Sequence, residues 1–558
     1  MTNDHPVFEL SDRLVDELCT LFPDEATYLG VAGHDDRWPD LSPDGNTAAE
    51  AAIRDMRARI DRLPRADHPF DRLAVDVAKD HLDNLIGYYH AQLPLLHLNS
   101  ITGPVQNLRE MFDHMDTGSV EGWANIATRL EGLGAALGGY VATLETGRAG
   151  GNVVAIRQVE EAIRQTSVTA SEASSFVALV EAYERAGIGD DALAGRLVSA
   201  VDSGRAAYAE LVDYLATSYA PAAVADDPVG LDRYRVDARR MLGTDLDFDE
   251  TYAWGWEEVE RIRGRMETVA AEIVPGGSID DALTVLKTDP ARSANPDDLV
   301  AFLSARIDEA LDRLAGTHFD VPDQIRRCDV KLAPPGGSLG AYYVGPSEDF
   351  TRPGSVWWSI EQGKPVPLYD EVSAAYHEGF PGHHLQVGIQ VSLRERLSRL
   401  HRMCVWMPGT GEGWALYAER LMDELGYLDK PDYVLGFLAG QMLRAVRVVA
   451  DLGNHLGYRI PDGQPFHPGE AWGFDTTVEM LERYATLDHP YAVSETNRYL
   501  GWPAQAIAYK VGERQIIQVR DEMRRREGHR FDLKDFHRRL LEVGPVGLDL
   551  MRSVVLDR

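Results

Sequence analysis

The sequence predicts a predominantly α-helical protein with one small β element. Apolar residues recur at three- and four-residue spacing along most of the 558-residue chain. Strand-type residues, aromatic or β-branched and bounded by Pro and Gly, are confined to about 326–345 and 354–360. Hydrophobic residues make up 44% of the chain, which is ordinary for a globular protein and sufficient for a substantial core.

The amphipathic spacing gives helices over 8–22, 47–64, 70–92, 120–146, 156–187 and 190–219. The stretch 220–232, rich in Pro, Ala and Asp, reads as a hinge. It suggests an N-terminal helical part, 1–225, and a second part, 226–558, carrying the chemistry, or else one continuous domain. Helices resume near 248–273, 297–314 and 368–379 and fill most of the C-terminal third. Between them, Val330-Lys331-Leu332 and Ala341-Tyr342-Tyr343-Val344 precede Ser355-Val356-Trp357-Trp358-Ser359, which reads as a short hairpin or sheet edge. An open edge there can take an added peptide strand, or the element is simply a small packed sheet. No internal repeat or low-complexity tract is visible.

Composition excludes several classes. A formal charge of −33 argues against nucleic acid, which calls for basic patches. Three scattered cysteines, Cys19, Cys328 and Cys404, make neither a disulfide framework nor a Cys-type zinc site, and they suit a reducing compartment. The start, Met-Thr-Asn-Asp-His-Pro, lacks a basic region followed by an apolar stretch, and no run of about 18 apolar residues occurs. The expectation is a cytoplasmic protein without a membrane span. Its oligomeric state is not legible.

The chemistry is concentrated in residues 376–386, Tyr-His-Glu-Gly-Phe-Pro-Gly-His-His-Leu-Gln. A His-Glu pair followed closely by another His is how a zinc hydrolase sets two imidazole ligands beside a general base. The common spacing places the histidines at i and i+4, on one helix face. Here His383 and His384 stand six and seven residues after His377. On a straight helix an i+6 residue is about 120° around and roughly 9 Å further along, too far to share one small ion. The helix must therefore bend. Pro381 would collide with the His377 carbonyl, Phe380 before it is steered from helical geometry, and Gly379 and Gly382 tolerate unusual dihedrals. Either His383 or His384 then swings back beside His377; a His-rich helix end without metal is the bland alternative.

A third ligand is offered by Gly409-Thr410-Gly411-Glu412-Gly413-Trp414, which reads as a loop entering a helix with Glu412 in its first turn. Two His and one Glu, with one position left for substrate, form a catalytic zinc set. An acid favoured by the helix dipole is the alternative reading of Glu412. Glu419, at i+7, is placed to orient a ligand imidazole.

His377-Glu378-Gly379-Phe380-Pro381-Gly382-His383-His384-Leu385-Gln386 resembles the H-E-x-x-P-G-H-x-x-Q signature of the bacterial domain-of-unknown-function 885 family. Nearly the whole chain shares the likeness. Phe22 to Gly30, Gly340 to Tyr343, Arg352 to Gly354, Glu412 to Tyr417, Arg498 to Gly512 and Gly544 to Asp549 resemble successive family blocks. Ala504 departs from the family's usual Gly, and Gly547 from its frequent Pro. The family looks like a distant branch of the gluzincin metallopeptidases. The resemblance therefore implies a multi-helical gluzincin or neurolysin-like body with a small sheet beside the active-site helix. It favours His383 as the second imidazole, giving a Zn2+ site of His377, His383 and Glu412.

It further implies hydrolysis of peptide bonds in short peptides, with Glu378 moving the proton of the attacking water to the leaving amine. In the late block, Arg498, Tyr499, Gln505, Tyr509 and Lys510 read as one helical segment broken by Pro503. Tyr509 is the expected oxyanion donor, and Arg498 binds a substrate carboxylate or shares that task. Each taken singly also reads as a packing residue. Asp488 and His489 form another candidate pair, or a plain turn before Pro490. Alternatives to peptide hydrolysis are hydrolysis of another amide or ester at the same metal, and a non-catalytic peptide-binding helical protein.

Overall fold

A computed structural model describes residues 5–333, 340–361 and 363–557. Helix accounts for 68% of the chain and strand for 5%, so this is a mainly α protein with small sheets. Two compact units divide it. The first holds the chain up to Val229 together with Ser398–Cys404 and Leu500–Trp502; the second holds Gly230–Leu397, Val405–Tyr499 and the chain from Pro503 onward.

In the first unit, helices Pro6–Leu21, Pro43–Asp61 and Pro69–His90 each open on a proline, whose missing N–H costs nothing in a first turn. The long helix Val120–Ala149 opens on Ser119, whose hydroxyl accepts from Gly122 N at 3.0 Å. It buries Trp123, Leu130, Leu133, Leu137, Tyr140 and Leu144 in one core with Asp191–Tyr214. The expected single helix over 156–187 is two, Ile156–Ala170 and Ser175–Ala186. Between them Ser171 accepts from Ala173 N and Ser174 caps the second helix through Phe176 N, local bonds that compete with helix continuation.

The second unit is built on two close helix pairs. Phe248–Ile273 packs against Pro431–Leu456, and Pro408–Glu424 against Ala508–Glu527. Among the described residues, Pro431–Leu456 is the helix long and apolar enough in composition to cross a membrane. Its most apolar window is 78% buried inside the fold, as a core helix is.

The strands are β1 (Ser293–Ala294), β2 (Cys328–Leu332), β3 (Gly340–Val344), β4 (Gly354–Ser359) and β5 (Val366–Pro367). β1 and β5 form a two-stranded ladder, and the other three form a sheet in the order β2-β4-β3. The expected hairpin is formed by β3 and β4, which pair antiparallel, and β2 adds to the other side of β4 in parallel. Residues 334–339, inside the expected strand region, and 1–4, at the start, lie outside the described residues. The sheet sits on the motif segment, where Trp358 Nε1 donates to Glu371 Oε2 at 2.6 Å.

Candidate metal centre

The motif helix, Glu371–Glu378, stops immediately after His377 and Glu378, and a new helix, His383–Ser392, starts at His383. The four residues between are a full break, with a cis Phe380–Pro381 peptide. Gly382 is required there by a close approach: a Cβ on it would lie 1.9 Å from the His377 carbonyl oxygen. The indole of Trp414 holds the break, its Nε1 donating to the carbonyls of Pro381 (3.0 Å) and Gly382 (3.2 Å). The two imidazoles come to 5.0 Å between ring centroids, at an interplanar angle of 89°.

Glu412 completes the cluster, but not from a first turn. Its helix already begins at Pro408, so Gly409, Thr410 and Gly411 are helical rather than an entry loop. The glycines serve packing instead: a Cβ on Gly413 would lie 2.5 Å from the Gly512 carbonyl carbon, and one on Gly512 would lie 1.9 Å from the Gly409 oxygen. Backbone meets backbone where this helix crosses Ala508–Glu527.

Two N or O donors each about 2 Å from a tetrahedral ion stand about 3.3 Å apart. Glu412 Oε2 lies 3.4 Å from His377 Nε2 and 3.6 Å from His383 Nε2. One ligand atom from each of the three residues falls within 4.8 Å of the others. The donor set and its spacing fit a zinc ion held by His377, His383 and Glu412. Burial disfavours charge throughout the cluster, yet pairing outweighs it: Glu412 holds both imidazoles above the usual histidine range, and they hold its carboxyl well below the usual one. A divalent cation bound there would replace those protons.

The supporting bonds fix which nitrogen faces the cluster. His377 Nδ1 donates to Glu419 Oε1 at 2.7 Å, and Glu419 Oε2 accepts from Ser373 Oγ at 2.6 Å. His383 Nδ1 donates to Gln386 Oε1 at 3.2 Å, and Gln386 Nε2 donates to the Thr410 carbonyl. Each Nε2 thereby faces Glu412, where its proton is the one a bound metal ion would displace. His384 is committed elsewhere. Its Nε2 donates to the Ile325 carbonyl at 2.8 Å and its Nδ1 accepts from Tyr343 Oη at 3.1 Å, so it ties the sheet to the motif and has no lone pair to spare.

Glu378 stands beside the trio, its Oε1 4.0 Å from His377 Nε2. Burial pushes its carboxyl up, opposed by the imidazoles and by Arg444. Sequence reasoning named no role for Ser373, Gln386, Trp414 or Arg444. It also missed Trp406, half exposed with its ring 6.1 Å from that of His383. Arg444 was hidden because a lone arginine in an amphipathic helix reads as surface; Gln386 was present in the motif without a stated partner.

The late block breaks at Pro503, as expected, into two helices, His489–Gly501 and Ala508–Glu527. Tyr509 lies within electrostatic reach of Glu412, and burial together with that carboxylate raises its phenol above the usual range. Arg498 Nη2 donates to Glu495 Oε2 at 3.3 Å, a carboxylate that also receives Arg447 Nη2 at 2.7 Å and Tyr499 Oη at 2.7 Å. Lys510 is fully buried, donating to Gln441 and Glu513, and belongs to a structural ion cluster. Gln505 is buried in the connection between the helices. Asp488 accepts from Tyr491 N as a helix cap and His489 bonds Glu482 on the surface, so this pair is a plain helix start.

The connection explains one departure from the family pattern. Ala504 has φ +65°, a left-handed conformation that favours glycine, and its N–H donates to Asp451 Oδ2 at 3.0 Å. An L-residue there costs about 1–2 kcal/mol, partly offset by the greater freedom of glycine in the unfolded chain. Ala504→Gly is expected to raise the denaturation midpoint, by the equivalent of up to about 1 kcal/mol. A lowered midpoint would contradict that reading of the turn.

A mainly α body carrying a buried His₂Glu cluster is thus the class that fold and site define. The chain belongs to the family described as bacterial protein of unknown function (DUF885), whose model matches residues 23–555. It is similar, at TM-score 0.86 and 21% identity over 99% of both chains, to a crystal structure described as the "putative lipoprotein" of Colwellia psychrerythraea. It is also similar, at TM-score 0.75 and 16% identity over 98% of this chain and 99% of the other, to one of unknown function from Shewanella oneidensis, described likewise. At these identities the likeness shows the fold. No curated protein matches the chain.

Proposed function

We propose that this chain is a zinc-dependent hydrolase of peptide bonds in short peptides. The reading is carried by one combination: a His₂Glu donor set with Glu378 beside it but outside it. A site that merely held a metal would have no use for a free buried carboxylate. His377, His383 and Glu412 would hold the zinc, which when bound would supply a Lewis acid to polarise a carbonyl and acidify water. Glu378 takes the proton of the attacking water and delivers it to the leaving amine. Tyr509 donates its hydroxyl hydrogen to the oxyanion of the tetrahedral species. Trp406, exposed beside His383, offers an apolar face to a substrate side chain.

The test is zinc stoichiometry of the purified protein together with turnover of a mixed peptide library. About one zinc per chain with cleaved peptides supports the reading. Zinc with turnover of esters or non-peptide amides alone points to another hydrolase, and peptide retention without turnover points to a binding protein. Tyr509→Phe is expected to lower kcat about 10²–10³-fold with little change in KM, the cost of one oxyanion donor. Lower thermal stability with unchanged kinetics would reduce Tyr509 to a packing residue.

On location, three free cysteines favour a reducing, cytoplasmic setting. The lipoprotein descriptions of the two similar structures favour an exported one. We take the cytoplasmic reading, and recovery of the native protein in a membrane fraction would overturn it.

A further inference from the structure

Beside the cluster three arginines gather, and Glu495 is the carboxylate that hydrogen-bonds two of them. Arg444 and Arg447 lie on one helix, Pro431–Leu456, and Arg498 on the helix His489–Gly501. Arg447 and Arg498 share a single carboxylate, Glu495. Arg444 has none within salt-bridge distance among the described residues. Its Nη1 donates to the Gly440 carbonyl at 3.1 Å, and its Nε is buried without a partner. The Arg498 Nε, 3.3 Å from Glu495 Oε1, is likewise buried without a formed hydrogen bond. An enclosed guanidinium N–H with no acceptor is costly.

Arg444 is close to the reacting centre. A Cβ on Gly440 would lie 3.0 Å from Arg444 Nη1 and 4.0 Å from Glu419 Oε2, so the missing side chain opens space for the guanidinium next to the carboxylate that orients His377. Gly440, Arg444 and Arg447 follow one another at i, i+4 and i+7, on one helix face. Arg447 stacks on Tyr509 with its guanidinium carbon 4.8 Å from the ring centre. Glu378 and Tyr509 both feel the Arg444 charge.

We infer that Arg444, with Arg498 beside it, anchors the free α-carboxylate of a peptide's last residue, so that the site trims short peptides from the C-terminus. A carboxylate supplies the planar, bidentate acceptor that a guanidinium fork matches. An anchored terminal carboxylate holds the end of the peptide beside the centre, which suits trimming from the C-terminus rather than an internal cut. Arg498 keeps the carboxylate-binding role expected from the sequence, but as the secondary partner, because Glu495 already draws on its charge.

The inference rests on the peptidase reading only in taking the carboxylate to be a peptide's. Trialanine and trialaninamide test it. Wild-type protein should favour the free acid about 10²-fold in kcat/KM, mainly through KM, which is the scale of losing one partner of a desolvated charge pair. In Arg444→Gln that ratio should fall towards one, while Arg444→Lys, which keeps the charge, should retain part of it. Equal rates on acid and amide by the wild-type protein overturn the anchor, as does a ratio that survives Arg444→Gln. An amidated peptide ending in glutamate that competes as well as trialanine would place the anion on a side chain and overturn the α-carboxylate assignment. Calorimetric binding of both trialanine forms to Glu378→Gln protein separates the two readings. Acid-selective binding that Arg444→Gln abolishes keeps the anchor even where no peptide bond is cut. Cleavage of acid and amide alike keeps the peptidase and removes the anchor.

Discussion

His377→Ala is expected to leave the helices standing and the zinc gone. The imidazole supplies one of three donors, and a site reduced to His383 and Glu412 is short of a catalytic zinc set. Helical content should persist because the helices rest on cores elsewhere, such as the one around Val120–Ala149 in the first unit. The substitution also strips Glu419 of its imidazole partner, leaving a buried carboxylate held by Ser373 alone. A stability loss of about 1–3 kcal/mol is the ordinary penalty for such a group. Elemental analysis and far-ultraviolet circular dichroism check both halves. Full zinc occupancy in the variant would sink the ligand assignment.

Glu378→Gln should give the opposite pattern. The amide keeps the shape of the side chain and removes no donor from the trio, so zinc content should match the wild type. Hydrolysis should fall about 10²–10⁴-fold, because one group serves both proton transfers and glutamine serves neither. Wild-type turnover by the purified variant would refute water activation by Glu378. Loss of zinc would instead place Glu378 among the ligands. Run side by side, the two variants distinguish holding a metal from using it.

Much of this arrangement was legible because it is local. Pro381 and its flanking glycines announce a broken helix, and the break is what returns His383 to His377. Glu419 was legible for the same reason, seven residues along the helix from Glu412. What was not legible depends on partners distant in sequence. The order β2-β4-β3 is set by a parallel pairing across more than twenty residues, which no turn signal encodes. Gly409, Gly411 and Gly413 look like loop residues until Gly512 and Trp406 are found pressed against them. His383 and His384 are adjacent in sequence, and only Ile325 and Tyr343 decide which one is taken. Arg444 carries no local signal at all. An arginine in a helix reads as solvated until the fold shows its Nε enclosed.

The contact of Gly413 with Gly512 sets the spacing of the centre by leaving atoms out. Glu412 precedes one glycine and Tyr509 stands three residues before the other, so the proposed metal ligand and the proposed oxyanion donor are mounted on opposite sides of a joint with no side chains. Such a joint has no rotamers to relax and no intermediate settings. Its separation is the van der Waals thickness of two backbones, the one distance that neighbouring substitutions alter least. Variation elsewhere in the helices can reshape what enters the site while this gauge stays constant, so substrate preference and catalytic geometry are free to evolve on separate residues.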